Sequence, residues 1–553
     1  MLPESGPPLD VVVVGSGAAG RRAAIAAAEA GARVCIVTKG SLLYSGASAS
    51  ANFSYCASFG YFGAGDTAEA YAADVLASGH GLAEPTLALR LAEEAGREAD
   101  TVEGWGVRWR RDADGRHQRA TFGGHRFHRA IHVGLRTGKA LMVALGRRAQ
   151  ALGVEVRDHS VALEVLVSDG VAAGLLLLDL RQAALVALSA GAVVLATGGN
   201  VAMYALHTNP DELTGDGIAL AHAAGATLLD VEFVQSYPTV LLSPPAARGL
   251  HYPTGRLLGF GARLLNGKAE EFFGRYESVA IQQARRDALS RAIALEVAAG
   301  RGSPRGGAFV DASAVAPGTL RDVHFEGYFQ DLDLDVGRDL QEVGPTPHFT
   351  LGGVRIDEDG RTDLPGHFAA GEVAGGLHGA NRLTGVALPE ALVFGAAAGR
   401  AAFATARVDR GRAVRAEDGP WSAKVSAALR PHRPGGMHVG EAAAALRRAM
   451  QAGAGVLKSA GSLRETLAAL DAIAPALSEL GSRQPGIRFN WQLARILELW
   501  HMLEAARLHA VAALRREESR GAHLRTDHPG TSDPAWHRHQ LVQRARVMDA
   551  TIG

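Results

Sequence analysis

Gly15, Gly17 and Gly20 stand in the spacing G-x-G-x-x-G, with Ser16, Ala18 and Ala19 between them. This pattern handles phosphate through the main chain. The first glycine permits a tight turn, the second lets backbone approach a pyrophosphate, and the third lets a helix pack closely on a strand. The N–H groups at the helix start then face the anion. The supporting elements follow in order. Val11 to Val14 are four consecutive β-branched residues, expected of a parallel strand buried on both faces. An Ala-rich helix comes next, then a second apolar strand from Arg33 to Val37. A dinucleotide is therefore expected over residues 10–40. The acid that grips an NAD-type ribose at the end of the second strand is missing. Thr38, Lys39 and Gly40 stand there instead, so that grip is not expected.

Other residues extend the chemistry. Residues 41–58 are rich in small and hydroxyl side chains, among them Ser45, Gly46, Ala47 and Ser48, and such a loop can wrap a ligand. Thr197 and Gly198 follow an apolar strand, a second place where backbone can come close to a ligand. Arg382 follows a glycine-rich turn, and if buried it needs an anionic partner. The chain has two cysteines, Cys35 and Cys56. They cannot form a disulfide framework or supply four thiolates to an iron–sulfur cluster, so any such cluster must come from another chain. No metal site is expected.

With 553 residues, the chain exceeds one hydrophobic core. Lys plus Arg and Asp plus Glu are 57 each, so the formal net charge of zero gives no case for nucleic acid or an anionic membrane surface. The start has no basic and apolar leader pattern, and apolar runs are broken by glycine or charge. A cytoplasmic location without a direct membrane span is expected. Residues 64–105 and 137–151 read as helices and 153–195 as β-rich. Thr214 or Asp216 reads as the cap of a helix over 214–226. The α/β rhythm lapses between 233 and 340, returns over 344–404, and gives way to Ala/Leu/Arg helices from 440.

Many segments, in one order, resemble the flavoprotein family of succinate dehydrogenase, fumarate reductase and L-aspartate oxidase. They include DVVVVGSGAAG at 10–20, VTKG at 37–40, FGGHRFHRAIH at 122–132 and ATGGN at 196–200. Further on stand TNPDELTGDGIALAHAAGATLLDVEFVQSYPT at 208–239, PHFTLGG at 347–353, HFAAGEVAGGLHGANRL at 367–383 and EESRGAHLRTDHP at 517–529. The resemblance implies an α/β fold: a Rossmann-like FAD-binding domain at 1–232 and 344–407, an inserted α+β capping domain at 233–343, a linker at 408–439 and a C-terminal helical domain at 440–553. It implies hydride transfer between a carboxylate and flavin N5. It also implies a possible iron–sulfur electron-transfer subunit, which could tether the chain beside a membrane.

Residue roles carry over where the motifs match. Gly15, Gly17, Gly20, Thr38, Lys39, Ser45, Ser48, Asp216, Glu372, Ala387 and Leu388 would border FAD. His348 and Arg382 would bind a substrate carboxylate with Thr254 nearby, and Arg286 would transfer the proton. Three departures stand out. Tyr237 replaces the family's substrate-binding histidine. Gly255 and Leu258 replace a glutamate and an arginine that relay protons, with Arg256 or His251 as substitutes. Gly46 occupies the place of a flavin-linking histidine, so FAD is expected to be non-covalent. An L-aspartate oxidase-like activity and a catalytically impaired electron-transfer component are the alternative readings.

Overall fold

A computed structural model describes residues 8–42, 45–51, 54–60, 63, 65–120, 122–322, 334–408, 420–543 and 546–550. Strand Leu9–Val14 lies between Val34–Val37 and Ala184–Leu195, parallel to both. Val14 is in register with Val37 on one side and Leu195 on the other. Glu155–Arg157 and His367–Ala369 add further parallel strands, while Val171–Asp179 and Ser160–Ser168 continue the sheet antiparallel. The four valines divide between two cores. Val11 and Val13 enter the one on the helical face, and Val12 and Val14 enter the other. Period-two side-chain alternation explains why an unbroken valine run is required for a strand covered on both sides.

Helix Ala18–Glu29 packs against helix Ala387–Val408 at close range. A side chain at Gly395 or Gly399 would meet the carbonyl oxygens of Ala19 and Ala23 at 2.6 and 2.1 Å. The later helix is the one described helix long and apolar enough to cross a membrane. Two thirds of its apolar window is buried, and its glycines fit it to the first helix, so it serves as a core helix here. This packing brings Ala387 and Leu388, remote in sequence, to the same cavity wall as the glycine turn.

A second sheet carries the strands Val234–Leu241, Gln341–Thr350, Ala308–Asp311 and Arg263–Leu265 in that order, with helix Arg286–Ala298 against it. Its first two strands also contribute the site residues Gln235, Tyr237 and His348.

The chain after residue 440 is helical over Val439–Gly453, Ala460–Glu479 and Trp491–Arg515. It then adds the strands His539–Gln543 and Arg546–Ala550 to a sheet shared with Leu228–Leu229 and Gly353–Arg355. Residues 408–439, expected as linker, contain helix Pro420–Ala428, and 409–419 lie outside the described residues.

A buried ionic cluster joins this C-terminal part to the nucleotide-binding part. Arg516 donates to Glu232 at 2.6 Å, Glu518 at 3.0 Å and Asp230 at 3.4 Å, and all four side chains are at most 1% exposed. Asp230 also pairs with His539 at 2.5 Å. Burial opposes charge on His539, but Asp230 and Glu84 outweigh it and hold its pKa up at about 10. Removing the central cation would strand two or more buried carboxylates. Arg516→Ala is therefore expected to destabilise the chain by about 3–5 kcal/mol, seen as a lower midpoint of thermal unfolding. A loss below about 1 kcal/mol would show that the cluster does not hold the two parts together.

Candidate active site

A cavity of about 590 Å³ runs from the glycine turn to the second sheet. Most of the sequence-predicted residues line it. They are Gly15, Ser16, Gly17, Ala18, Ala19, Thr38, Lys39, Ser45, Gly46, Ala47, Ser48, Thr197, Gly198, Asp216, Tyr237, Arg286, His348, Glu372, Arg382, Ala387 and Leu388. Gly20, Gly40 and Thr254 do not line it. Gly20 supports the turn from behind, since a Cβ there would stand 2.0 Å from the Gly15 carbonyl oxygen. A Cβ on Gly40 would collide with Ser45 Oγ at 2.0 Å. Thr254 is fully buried beside wall residues Pro253 and Gly255. Of the hydroxyl-rich loop, residues 43, 44, 52 and 53 lie outside the described residues.

At one end the wall is built for an anion. Gly15 has φ +107°, and a Cβ there would meet Ala196 O at 2.2 Å, so the turn excludes any larger residue. A Cβ on Gly17 would meet Ser48 Oγ at 3.3 Å, and that hydroxyl, on the cavity wall, accepts the Ala18 N–H at the start of helix Ala18–Glu29 at 3.1 Å. No acid occupies that helix's first turn. The buried hydroxyls of Ser45 and Thr197 have no protein partner. An anionic dinucleotide fits such a cradle, because helix N–H groups and free hydroxyls satisfy phosphate and ribose oxygens.

Lys39 is committed elsewhere. It donates to Asp216 at 2.6 Å and Thr214 Oγ1 at 2.7 Å, and also pairs with Glu498 at 3.2 Å. Burial works against its charge, but the two acids outweigh that and hold its pKa above the ordinary lysine value. Lys39 thus ties the nucleotide strand to the C-terminal helix Trp491–Arg515 as well as bordering the cavity. The helix at 216 is capped by neither expected residue. Gly215, at φ +82°, takes the N-cap position, and Thr214 is turned to Lys39 and Asp216. A left-handed backbone there suits glycine better than threonine.

At the other end two arginines gather. Arg382 is 4% exposed, its guanidinium 4.2 Å from the centre of the Phe349 ring, and its Nε has no partner. Burial and then repulsion from Arg286 push its pKa down to about 9. Arg286 donates to Gln235 Oε1 at 3.2 Å and lies over the Tyr237 ring at 5.0 Å. Burial lowers its pKa too. Among the described residues neither arginine forms a salt bridge. His348 is anchored at Nδ1 by Thr208 Oγ1 at 2.7 Å. Burial, Arg286, His251 and Arg382 all depress its pKa well below the usual value, so it is neutral at pH 7.

Residue-type reasoning passed over Gln235, Thr208 and Glu212. Gln235 holds Arg286 through its oxygen, and through its nitrogen it binds Asn381 at 2.7 Å and the Arg382 carbonyl at 2.8 Å. Glu212 accepts from the Gly46 N–H at 3.0 Å. All three lie inside segments already marked by resemblance, but a neutral amide or a loop acid carries no signal of its role until its partner is known.

Glu372 accepts from the Thr350 N–H at 3.0 Å, and burial raises its pKa to about 8. Its unfolded value is about 4.3. Between those values the folded chain keeps a proton that the unfolded chain has released. Glu372 therefore lowers the stability of the ligand-free chain by up to about 1.4 kcal/mol per pH unit across that window. Glu372→Gln keeps the acceptor without the penalty. It is expected to unfold at a higher temperature than the parent at pH 8 and at the same temperature near pH 4. Equal midpoints at both pH values would contradict a protonated Glu372.

Comparison with known proteins agrees with this architecture. A family profile described as "FAD binding domain" matches residues 10–388, and one described as "Fumarate reductase flavoprotein C-term" matches 443–552. The chain is 36% identical over 538 residues to a subunit of "Fumarate reductase (CoM/CoB)" from Methanothermobacter marburgensis, covering 97% of each chain. It is 36% identical over 534 residues to an L-aspartate oxidase of Caulobacter vibrioides, covering 95% of this chain and 94% of that one. Among solved structures, the E. coli quinol fumarate reductase FrdA, in a singly substituted form, superposes with a TM-score of 0.89 at 29% identity over 99% of this chain and 97% of that one. Mycobacterium smegmatis Sdh1 gives 0.86 at 32% identity over 99% and 94%. By its profile matches, its relatives and its fold, this chain belongs to the succinate dehydrogenase and fumarate reductase family of FAD-dependent flavoprotein oxidoreductases.

Proposed function

We propose that this oxidoreductase interconverts a saturated and an unsaturated carboxylate, with a dicarboxylate of the succinate and fumarate kind as substrate. One observation carries the reading: Arg286 and Arg382 share a cavity wall, and no described carboxylate pairs with either. Desolvated cations of this kind call for an anion.

Bound FAD supplies hydride exchange with a substrate carbon. The residues that would hold it are the glycine turn at Gly15 and Gly17, the hydroxyls of Ser45, Ser48 and Thr197, and the segment from Ala387 to Leu388. Gly46 offers no side chain for a covalent link, and its N–H is taken by Glu212, so the binding is non-covalent. Arg382 and His348 orient the carboxylate. Arg286 moves the proton at the neighbouring carbon. Gln235 fixes its guanidinium, and burial brings its proton affinity closer to the working range. Leu258 and Gly255 hold no proton, so the return path falls to Arg256, a titratable group of that segment on the cavity wall. Cys35 and Cys56 are both buried and free. Two thiols cannot hold a four-thiolate cluster, so a cluster that exchanges electrons with the flavin would belong to a separate chain. The partner is an iron–sulfur protein, and any membrane association is made through it.

An amino-acid oxidase activity would need a seat for an ammonium group. The acids on the described cavity wall are Glu212, Asp216 and Glu372. Asp216 is bound to Lys39, Glu372 is protonated at pH 7, and Glu212 accepts the Gly46 N–H through one oxygen, so at most one of these acids is left for an ammonium, against two arginines for carboxylates. The carboxylate reading is favoured for that reason.

The FAD-loaded chain is expected to oxidise reduced methyl viologen in the presence of fumarate. Arg286→Ala should lower kcat by about 10²–10⁴-fold with FAD content unchanged. Activity with aspartate and none with fumarate would replace this reading by the oxidase, and undiminished turnover of Arg286→Ala would remove that residue from the chemistry.

A further inference from the structure

Three rings line the cavity beside the arginine pair. Tyr237 and His251 have centroids 4.5 Å apart, His251 and His348 5.2 Å, and Tyr237 and His348 5.5 Å. Tyr237 donates its hydroxyl to the Tyr252 carbonyl at 3.4 Å, and His348 is held through Nδ1 by Thr208. His251 differs from both. Its Nε2 is buried and has no protein partner, although the residue lines the cavity. A buried imidazole nitrogen acts as donor or acceptor in either neutral tautomer, and leaving it unpaired is costly.

The position of the ring is set by backbone. His251 bridges to Val240, the Tyr252 N–H donates to the Thr239 carbonyl at 2.9 Å, and Thr239 Oγ1 donates to the Tyr252 carbonyl at 2.9 Å. The segment is thus fastened to strand Val234–Leu241, which also carries Gln235 and Tyr237. Close by in sequence, Gly255 lines the same cavity, and nothing stands within 4 Å of where its Cβ would be. The wall has open space there.

We propose that His251 determines specificity by hydrogen-bonding, through Nε2, an oxygen at the far end of the carboxylate substrate, in a subsite that Gly255 leaves open. This rests on the carboxylate reading given above. Burial and the nearby Arg286 hold the His251 pKa down at about 4, so at neutral pH the subsite offers a hydrogen bond and no charge. The ligand class follows: one carboxylate for the arginines, and at the far end an acceptor oxygen that need not be ionised. An acid amide qualifies as well as a diacid.

The test uses the FAD-loaded full chain with reduced methyl viologen, and fumarate or its monoamide as oxidant. The parent is expected to reduce both, with kcat/KM values within about tenfold of each other. His251→Phe should raise KM about tenfold or more for both compounds and leave kcat nearly unchanged. His251→Gln, whose amide group reaches the place of Nε2, should recover most of the loss. Gly255→Leu, which fills the open space, should raise KM in the same way and decides the matter if the phenylalanine variant loses its flavin. An unchanged KM in His251→Phe and Gly255→Leu, or a glutamine variant as impaired as the phenylalanine one, overturns the assignment while the carboxylate reading stands. A parent chain inert toward both compounds overturns both.

Discussion

Arg286 and Arg382 are desolvated cations without a salt-bridge partner among the described residues, and of the acids near Arg382 only Glu390 and Glu372 support its charge, from a distance. Each guanidinium is withdrawn from bulk water, Arg286 lowers the proton affinity of Arg382, and the nearest described contacts are a neutral amide and aromatic faces. Burying two like charges together is unfavourable, and the two arginines are mounted on separate elements that other forces hold in place. Arg286 begins a helix packed on the second sheet, and Arg382 follows a loop between core segments of the nucleotide-binding part. Gln235 contacts both, through the side chain of one and the carbonyl of the other. On the proposed reading, a bound carboxylate offsets the cost of burying this pair.

The rest of the molecule supplies rigidity to that pair. Parallel strands buried on both faces fix the glycine turn, and glycine contacts between two long helices bring residues 387 and 388 to it. Strands Val234–Leu241 and Gln341–Thr350, paired with each other, carry Gln235, Tyr237 and His348 into one place. Two ionic anchors lock the C-terminal part onto this frame: Lys39 with Asp216 and Glu498, and Arg516 with Glu232, Asp230 and Glu518. These charges are compensated inside the protein, in contrast to those of Arg286 and Arg382. The difference separates structural cations from cations that await a ligand.

Protonation states divide the site in the same way. Burial keeps His251, His348 and Glu372 neutral at pH 7. The positive charge at the substrate end therefore resides on the arginines, while the histidines contribute directional hydrogen bonds. On the proposed reading, such a pocket selects for an anion at the arginine end and offers only hydrogen bonds at the other.

Local pattern determined much of this from the sequence. Four valines followed by G-x-G-x-x-G define a strand, turn and helix whose purpose is main-chain contact with phosphate, because side-chain period and glycine geometry act over a few residues. Resemblance located Arg286, His348 and Arg382 in the same way, residue by residue. Tertiary structure alone decided the pairings. Thr214 proved to be a partner of Lys39 and not a helix cap, the end of the chain returned as strands beside Leu228–Leu229, and Gln235 emerged as the link between two arginines about fifty and one hundred and fifty residues away. Whether a buried polar atom is satisfied depends on groups remote in the chain, and the free Nε2 of His251 could be recognised only once every neighbour had been placed.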